Sequence, residues 1–339
     1  MNSMNVSPKV ITSNKFARMA DYVFSEVITL SDFRRLDNKE NLIIYDRNEE
    51  NILYEISNLN ISDNSIIFCT TFMVNHLFDT LKKDNSLKNL ILITHQGDDL
   101  INKKKFSSKP DSIKKWFTPN INYINNGLTS IPLGIANYSM KNLNEADISN
   151  SNNSYFDKKD YGLYVNFQKN TNNKERGEIY NKLQDKSWVK TDNPDLDLTD
   201  YKSNIQNSSF VISPWGNGVD THRFWETLYL GSIPITKNHT TFSAASNLPV
   251  LFVNDYNEIN ESLLKNFLES NRKKLFNLDK LDISYWEEKI NKHISSNSFK
   301  ATYFLMNSSK VKTYRVQQKI NRYTKIFKYY ILKILKIFK

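Results

Sequence analysis

Two charged residues, Arg223 and Glu226, stand three positions apart in a stretch with helical periodicity. Side chains at this spacing project from the same face of a helix. An arginine can form two parallel hydrogen bonds to a diphosphate, and a carboxylate can accept hydrogen bonds from both hydroxyls of a ribose. The pair could therefore bind a nucleotide; the alternative is an ordinary exposed ion pair on a helix that Asp220 caps.

A glycine-containing turn, formed by Gly216, Asn217 and Gly218, precedes this helix. Glycine lets the backbone approach a ligand closely, and the free N–H groups at the start of a helix attract anions. We therefore expect the turn to hold the phosphate groups of the same ligand, and Asp220 to contact that ligand as well. The turn matches neither the Walker loop nor the G-x-G-x-x-G pattern, so taken alone it has little specificity.

A second polar group consists of His95, Asp98 and Asp99, which follow an apolar run. In parallel α/β sheets such loops face the ligand-binding crevice. A carboxylate or an imidazole at this position could take the proton of an attacking hydroxyl group. A plain polar turn explains the residues equally well. They are not accompanied by a His, Asp and Glu cluster at metal-ligand spacing, so we expect no metal site.

The elements that would position these groups are apolar runs separated by helical segments. In the first half, the runs at residues 42–45, 65–69 and 89–94 are typical of buried parallel strands. In the second half, strands are predicted at residues 162–167, 209–213, 233–236 and 250–253, with helices at 174–184 and 220–230. Gly231 would end the second of these helices.

The segment at residues 210–235 contains the pattern F-x-I-S-P-x-G-x-G-x-D-x-x-R-x-W-E-x-L-x-x-G-x-I-P-I. This pattern resembles the nucleotide-sugar-binding segment of exostosin-like glycosyltransferases and of related bacterial and viral enzymes. The resemblance implies a GT-B fold, in which two Rossmann-like domains face a cleft. It also implies transfer of a sugar from a nucleotide-sugar donor, with no metal and no other cofactor.

Two further segments resemble parts of the same enzymes. Residues 164–176 are similar to the first strand and helix start of the donor domain; Asn166 and Arg176 would then contact the donor. Residues 115–137 are similar to an acceptor-side stretch in which Asn120 could form hydrogen bonds in the cleft and residues 131–135 would form the last strand. Together the resembling segments cover roughly residues 90 to 240.

Length and composition suit two globular domains. A chain of 339 residues is long for one core. We expect an acceptor-side domain at 1–142, a linker at 143–159, a donor domain at 160–308 and a basic tail at 309–339. Because Cys69 is the sole cysteine, a scaffold of internal disulfides is excluded. No apolar stretch reaches the 18 residues of a membrane-spanning helix.

The formal charge of +10 is confined to the tail, because residues 310–339 carry eight Lys, two Arg and no acidic residue. On a helical projection, an aliphatic and aromatic face lies opposite the lysines. Such a helix is typical of attachment to an anionic membrane surface. A helix docked on the protein is the alternative. A nucleic-acid tail is disfavoured because it does not need a continuous apolar face.

We therefore predict a cytoplasmic, membrane-peripheral glycosyltransferase that extends a glycan or a lipid-linked acceptor in surface polysaccharide synthesis. The general base would be Asp98, Asp99 or His95, and the donor would contact the second half of the chain. The alternative is a non-catalytic nucleotide- or sugar-binding assembly partner of the same fold.

Overall fold

Apolar runs rich in Ile, Leu and Val form the strands of two parallel sheets in the computed structural model of this chain. Both sheets contain parallel strands alternating with helices, so the predicted α/β class is confirmed. The structure describes residues 9–36, 42–56, 60–137, 142–149 and 155–294.

The first half of the chain forms the following elements. The strands are β1 (Tyr22–Val23), β2 (Ser25–Thr29), β3 (Leu42–Arg47), β4 (Asn51–Ile56), β5 (Ile66–Thr70), β6 (Leu90–His95), β7 (Ile101–Asn102), β8 (Ile113–Thr118), β9 (Ile121–Asn122) and β10 (Leu128–Ser130). The helices are α1 (Ser13–Arg18), α2 (Leu30–Arg35), α3 (Val74–Leu81), α4 (Lys103–Ser107) and α5 (Glu145–Ser149).

The larger sheet of the first half has the strand order β1-β5-β6-β8-β10, and all its pairs are parallel. β5 and β6 are buried along their whole length, as strands covered on both faces are. The strand order follows the chain order. Among the described strands of this sheet, the order does not reverse at a switch point.

Two strands predicted in the first half differ in the structure. Residues 42–45 belong to β3, which pairs antiparallel with β4 in a three-stranded sheet of order β2-β4-β3. β3 is only partly buried, and its apolar run did not reveal the direction of pairing. Residues 131–135 form no strand, because Pro132 has no N–H group for the ladder and Gly134 has a φ of +68°.

The second half repeats the alternation of strand and helix. The strands are β11 (Tyr161–Val165), β12 (Val189–Thr191), β13 (Ser208–Ile212), β14 (Ile233–Lys237) and β15 (Leu251–Val253). The helices are α6 (Asn173–Leu183), α7 (Leu198–Gln206), α8 (His222–Tyr229), α9 (Glu261–Asn271) and α10 (Ile283–Asn291).

The second sheet is parallel throughout and has the order β12-β11-β13-β14-β15. The strands predicted in this half are confirmed to within two residues at each end. Both predicted helices are also present, as α6 and α8. Local periodicity was a good guide here because these strands are short, apolar and bounded by polar residues.

One apolar core extends from the first sheet to the second. It includes Ile91 and Phe117 of the first sheet and Phe210 of the second, together with Leu228 of α8. The backbone N–H of Ile11 also donates to the hydroxyl of Tyr229 at 2.9 Å. The two halves are thus packed against each other through both apolar and polar contacts.

The expected linker at residues 143–159 is partly packed into the protein. It contains α5, and both Leu143 and Tyr155 are buried. Residues 150–154 of this segment lie outside the described residues. The predicted amphipathic tail at residues 309–339 also lies outside them.

Candidate functional site

The strand order of the second sheet reverses beside β11, because β12 lies on one side of it and β13 on the other. In parallel sheets, ligands bind outside the carboxyl ends of the strands at such a switch point. Asn166 directly follows β11, and residues 213–218 directly follow β13. The topology therefore brings both segments to one crevice.

Helix α8 presents Arg223 and Glu226 on its partly exposed side. Its other side carries Phe224 and Leu228, which are buried in the core. The chain leaves the helix through Gly231, whose φ of +74° favours glycine. The predicted placement of both charged residues on one helical face is therefore confirmed.

A pocket of about 220 Å³ lies beside this face of α8. Its polar wall contains Asn166, Tyr201, Arg223 and Glu226, and residues 194, 196 and 198 add Pro and Leu side chains. Three of the predicted donor-binding residues thus share one pocket. The lining is mostly polar, and a concave site with several convergent polar groups can hold a polar small molecule.

The guanidinium of Arg223 is only partly used by the protein. Its Nη2 donates to Asn166 Oδ1 at 3.3 Å, and its carbon lies 5.1 Å from the ring centroid of Tyr201. Nη1 is buried and has no hydrogen-bond partner among the described residues. A buried donor without a partner costs about 1–3 kcal/mol, and a ligand oxygen at this atom would remove that cost.

Part of the glycine turn is hydrogen-bonded within the protein. Asn120 Oδ1 accepts the backbone N–H of Val219 at 3.1 Å and that of Asp220 at 2.8 Å. The N–H of Gly216 donates to the carbonyl of Gly218 at 2.9 Å. These N–H groups are therefore already bonded within the protein, and the buried Asn120 joins the two halves of the chain.

Close approach of protein groups explains the glycines themselves. A Cβ atom at Gly218 would lie 3.1 Å from both Asp98 Oδ1 and Asn120 Nδ2. A Cβ atom at Gly216 would lie 3.0 Å from Arg176 Nη2. Asn217, between them, is exposed. Glycine thus permits close packing between these loops, which the sequence pattern did not distinguish from contact with a phosphate.

Arg176 lies beneath the turn rather than across the crevice. Its Nε donates to the carbonyl of Trp215 and its Nη2 to that of Pro214, both at 2.9 Å, and Nη1 donates to the carbonyl of Gln168 at 2.7 Å. Burial, with a smaller effect from Arg223, lowers the pKa of Arg176 to about 10. The residue therefore holds two loops together and has its three donor nitrogens bonded.

Asp220 is also buried, and its carboxylate is bonded within the protein. Its carboxylate accepts the indole N–H of Trp225 at 2.9 Å, the backbone N–H of Leu133 at 2.9 Å and that of Thr221 at 2.9 Å. Burial raises its pKa to about 7, and these donors oppose that shift. Its role is to attach the start of α8 to the first half of the chain.

Asp98 and Asp99 are exposed in the loop after β6. Burial of part of the group raises the pKa of Asp98; nearby His222 opposes this shift and Asp99 adds to it. His222 Nδ1 lies 2.8 Å from the carbonyl oxygen of Gly134. Since a carbonyl only accepts, Nδ1 carries a proton in this contact. The carboxylate of Asp98 thus stands next to the start of α8.

His95 is a core residue, contrary to its predicted exposure in the loop. It is 1% exposed and contacts the ring of Phe16. Its Nδ1 accepts the N–H of Gln96 at 2.9 Å, so Nε2 is the protonated nitrogen that donates to the carbonyl of Pro132 at 3.1 Å. Burial lowers its pKa to about 3. With both ring nitrogens bonded, His95 has no free site for a substrate proton.

This burial predicts a stability that depends on pH. In the unfolded chain His95 takes up a proton near its ordinary pKa of 6.5, whereas the folded protein resists this until about pH 3. Below pH 6.5 the unfolded state binds more protons, so the free energy of unfolding falls with decreasing pH, by up to about 1.4 kcal/mol per unit. His95→Asn should remove this contribution, as urea denaturation between pH 3 and 8 would reveal.

The same variant should lose about 1–3 kcal/mol at neutral pH, because Pro132 then lacks its donor. Parallel curves of unfolding free energy against pH for His95→Asn and the wild type would contradict the assignment.

Tyr201 is the residue of this site that sequence reasoning missed. It lies on α7, and its hydroxyl donates to Glu226 Oε2 at 2.6 Å. The only local signal was an aromatic residue in a polar helix, and aromatic residues occur on most helices. The contact joins residues 25 positions apart, so it depends on how α7 packs against α8.

No protein-family model matches this chain, and neither does any curated protein. Within the ranges that the structure describes, no three or more His, Cys, Asp or Glu side chains are grouped so as to hold a metal ion. In the same ranges no helix is both long and apolar enough to cross a bilayer.

Proposed function

We propose that the protein is a glycosyltransferase of the GT-B kind, which moves a sugar from a nucleotide-sugar donor to a glycan or lipid-linked acceptor. The observation that carries this proposal is the pocket at the switch point. There Arg223 has a buried Nη1 without a hydrogen-bond partner among the described residues, and Glu226 lies beside it. A cation for a diphosphate and a carboxylate for ribose hydroxyls are what a nucleotide-sugar requires.

The chemistry requires charge stabilisation at the leaving group. The acceptor oxygen attacks the anomeric carbon, and the bond from that carbon to the diphosphate oxygen breaks. The diphosphate leaves with the electron pair, and its charge grows in the transition state. Arg223 would stabilise that charge, since a preorganised donor is most effective where charge develops. Asn166, 3.3 Å from Nη2, orients the guanidinium.

The acceptor proton needs a base on the opposite side of the crevice. Asp98 and Asp99 are the proposed groups, because they are exposed and Asp98 Oδ1 stands next to Gly218, which lies in the donor-side loop shortly before α8. A raised pKa brings Asp98 closer to the range in which a general base works well. His95 is not proposed, because both its nitrogens are bonded in the core.

The proposal also covers where in the cell the protein acts and what it makes. We place the protein on the cytoplasmic face of a membrane, held by residues 310–339, where it would extend a surface polysaccharide. The charge of that segment and its apolar residues support this. Neither a cofactor nor a nucleic-acid partner enters the proposal.

The experiment is a thermal-shift screen with UDP-, GDP- and CMP-sugars, followed by assays of transfer and donor hydrolysis. A donor at 100 times its Kd should stabilise the wild type by about 2.7 kcal/mol. Glu226→Ala should lose the shift, whereas Glu269→Ala, at an exposed site on α9, should retain it. Asp98→Asn should keep the shift and slow turnover about 10²-fold or more.

The outcomes separate an enzyme from a binding protein. A wild-type protein that binds nucleotide-sugars but neither transfers nor hydrolyses them is the non-catalytic assembly partner. Turnover that survives unchanged in Glu226→Ala and Asp98→Asn would show that the catalytic residues lie elsewhere. No shift with any of the donors would remove the basis of the proposal.

A further inference from the structure

Tyr201 contacts both charged residues of the pocket at once. Its hydroxyl donates to Glu226 Oε2 at 2.6 Å, and its ring lies 5.1 Å from the guanidinium carbon of Arg223. The first contact holds a carboxylate and the second is a cation–π interaction. A tyrosine can make both contacts at low cost, because only two side-chain torsions need to be ordered.

The hydrogen bond from Tyr201 occupies one carboxylate oxygen of Glu226 and leaves the other available to a ligand. Oε2 is occupied by Tyr201, whereas Oε1 has no hydrogen-bond partner among the described residues. A glutamate that is free to rotate loses about 1.5–2 kcal/mol of side-chain entropy when a ligand orders it. Since Tyr201 already restrains the carboxylate, a ligand hydroxyl at Oε1 meets a group that is largely ordered before binding.

The hydroxyl of Tyr201 stays protonated throughout the physiological range. Burial, and to a smaller degree the carboxylate of Glu226, raises the pKa of Tyr201 well above its ordinary value, while Arg223 opposes the shift. The phenol therefore remains a donor, and Glu226 remains the acceptor of this bond.

We propose that Tyr201 is a positioning residue that gives this pocket its preference for ribose over deoxyribose, by holding Glu226 so that Oε1 accepts a ribose hydroxyl. The inference rests on the proposed function, because it assumes that the pocket binds a nucleotide. It adds a residue that neither the motif nor the resemblance contains. The ring and the hydroxyl have separable effects: the ring supports Arg223, and the hydroxyl orients Glu226.

The test is the ratio of affinities for a ribonucleotide and its 2′-deoxy counterpart. UDP and GDP, each with its 2′-deoxy form, would be titrated calorimetrically into the wild type, Tyr201→Phe and Glu226→Gln. We expect the wild type to prefer the ribonucleotide about tenfold or more, equivalent to about 1.4 kcal/mol. Tyr201→Phe should reduce the preference to about threefold or less and leave the 2′-deoxy affinity within about twofold, because the ring remains over Arg223.

Controls separate positioning from a general structural effect. Tyr285→Phe removes a hydroxyl from a partly buried tyrosine of α10 and should keep the wild-type ratio. Equal losses of both affinities in Tyr201→Phe would mean that the residue only supports the fold, which overturns the inference.

The remaining outcomes distinguish the inference from the proposed function. A full ribose preference in Tyr201→Phe, or none in the wild type, overturns the inference, while nucleotide binding still supports the proposed function. A wild type that binds neither UDP nor GDP at millimolar concentration overturns the inference, and it overturns the proposed function as well if no nucleotide-sugar of the thermal-shift screen binds.

Discussion

Gly134→Ala should destabilise the protein by about 2–5 kcal/mol, a large share of the 5–15 kcal/mol that holds a typical domain folded. Gly134 has a φ of +68°, which an L residue adopts only at a cost of about 1–2 kcal/mol. Its Cβ would also lie 2.3 Å from the carbonyl oxygen of Ile11. That contact is with backbone, so no rotamer change relieves it, and overpacking adds about 1–3 kcal/mol.

The backbone shift that relieves this contact should also disturb the candidate site. The carbonyl of Gly134 accepts the hydrogen bond from His222, the first residue of α8. A shift of residues 131–135 would therefore disturb the start of the helix that carries Arg223. We expect weaker donor binding in Gly134→Ala even at temperatures where the variant is folded.

Gly177→Ala is the matched control, because Gly177 lies inside α6 and a Cβ there meets its nearest neighbour, Asn173 Oδ1, at 4.0 Å. Alanine favours the helix, so this variant should gain up to about 1 kcal/mol. Both free energies of unfolding come from urea denaturation. A Gly134→Ala variant within about 1 kcal/mol of the wild type would be incompatible with the backbone contact described here.

Arg223→Met should weaken donor binding by about 100-fold or more, the effect of removing the charged partner of a diphosphate from a partly buried site. The stability of the unliganded protein should change little. Nη1 has no partner to lose among the described residues, and the Nη2 contact with Asn166 is long, at 3.3 Å. Removing an unpaired buried donor can even raise the free energy of unfolding slightly.

Calorimetric titration with the best donor of the thermal-shift screen, together with urea denaturation, measures both quantities. Arg272→Met replaces an exposed arginine at the end of α9 and should leave donor affinity unchanged. If Arg223→Met lost stability and affinity together, the arginine would be a structural residue such as Arg176. If neither changed, the diphosphate would bind elsewhere.

Several features of the second half were predictable because they are local. The spacing of Arg223 and Glu226, the apolar side of α8 and the helix end at Gly231 all follow from the 3.6-residue period and from the backbone freedom of glycine. The strands of this half were found for the same reason. Each is a short apolar run, and its burial depends on its own composition.

In the first half, local patterns were less informative. The run at residues 42–45 has the composition of a buried strand, yet β3 lies in an antiparallel sheet and is partly exposed. Strand direction depends on which strand pairs with which, and an isolated run carries no such information. The apolar residues at 131–135 were expected to form a strand, but Pro132 and the left-handed backbone of Gly134 prevent it.

The roles of polar residues depended most on tertiary contacts. His95, Arg176 and Asp220 were all expected to face a ligand, and each is buried with its polar atoms bonded to the protein. A buried residue that bridges two loops can have the same charge and the same place in a loop as a residue that binds a ligand. The difference arises from neighbours that are distant in the sequence, as with Asn120 and Asp220, which are 100 positions apart.

By itself the sequence determined the α/β class, most elements of the second half and the placement of Arg223 and Glu226 on one face of α8. The tertiary structure decided that the glycine turn bonds to Asn120, that Arg176 supports the turn, and that Tyr201 holds Glu226. The physical reason is the range of the interactions. Backbone periodicity acts over a few residues, whereas a buried polar group takes whichever partner the packing of distant segments brings within hydrogen-bonding distance.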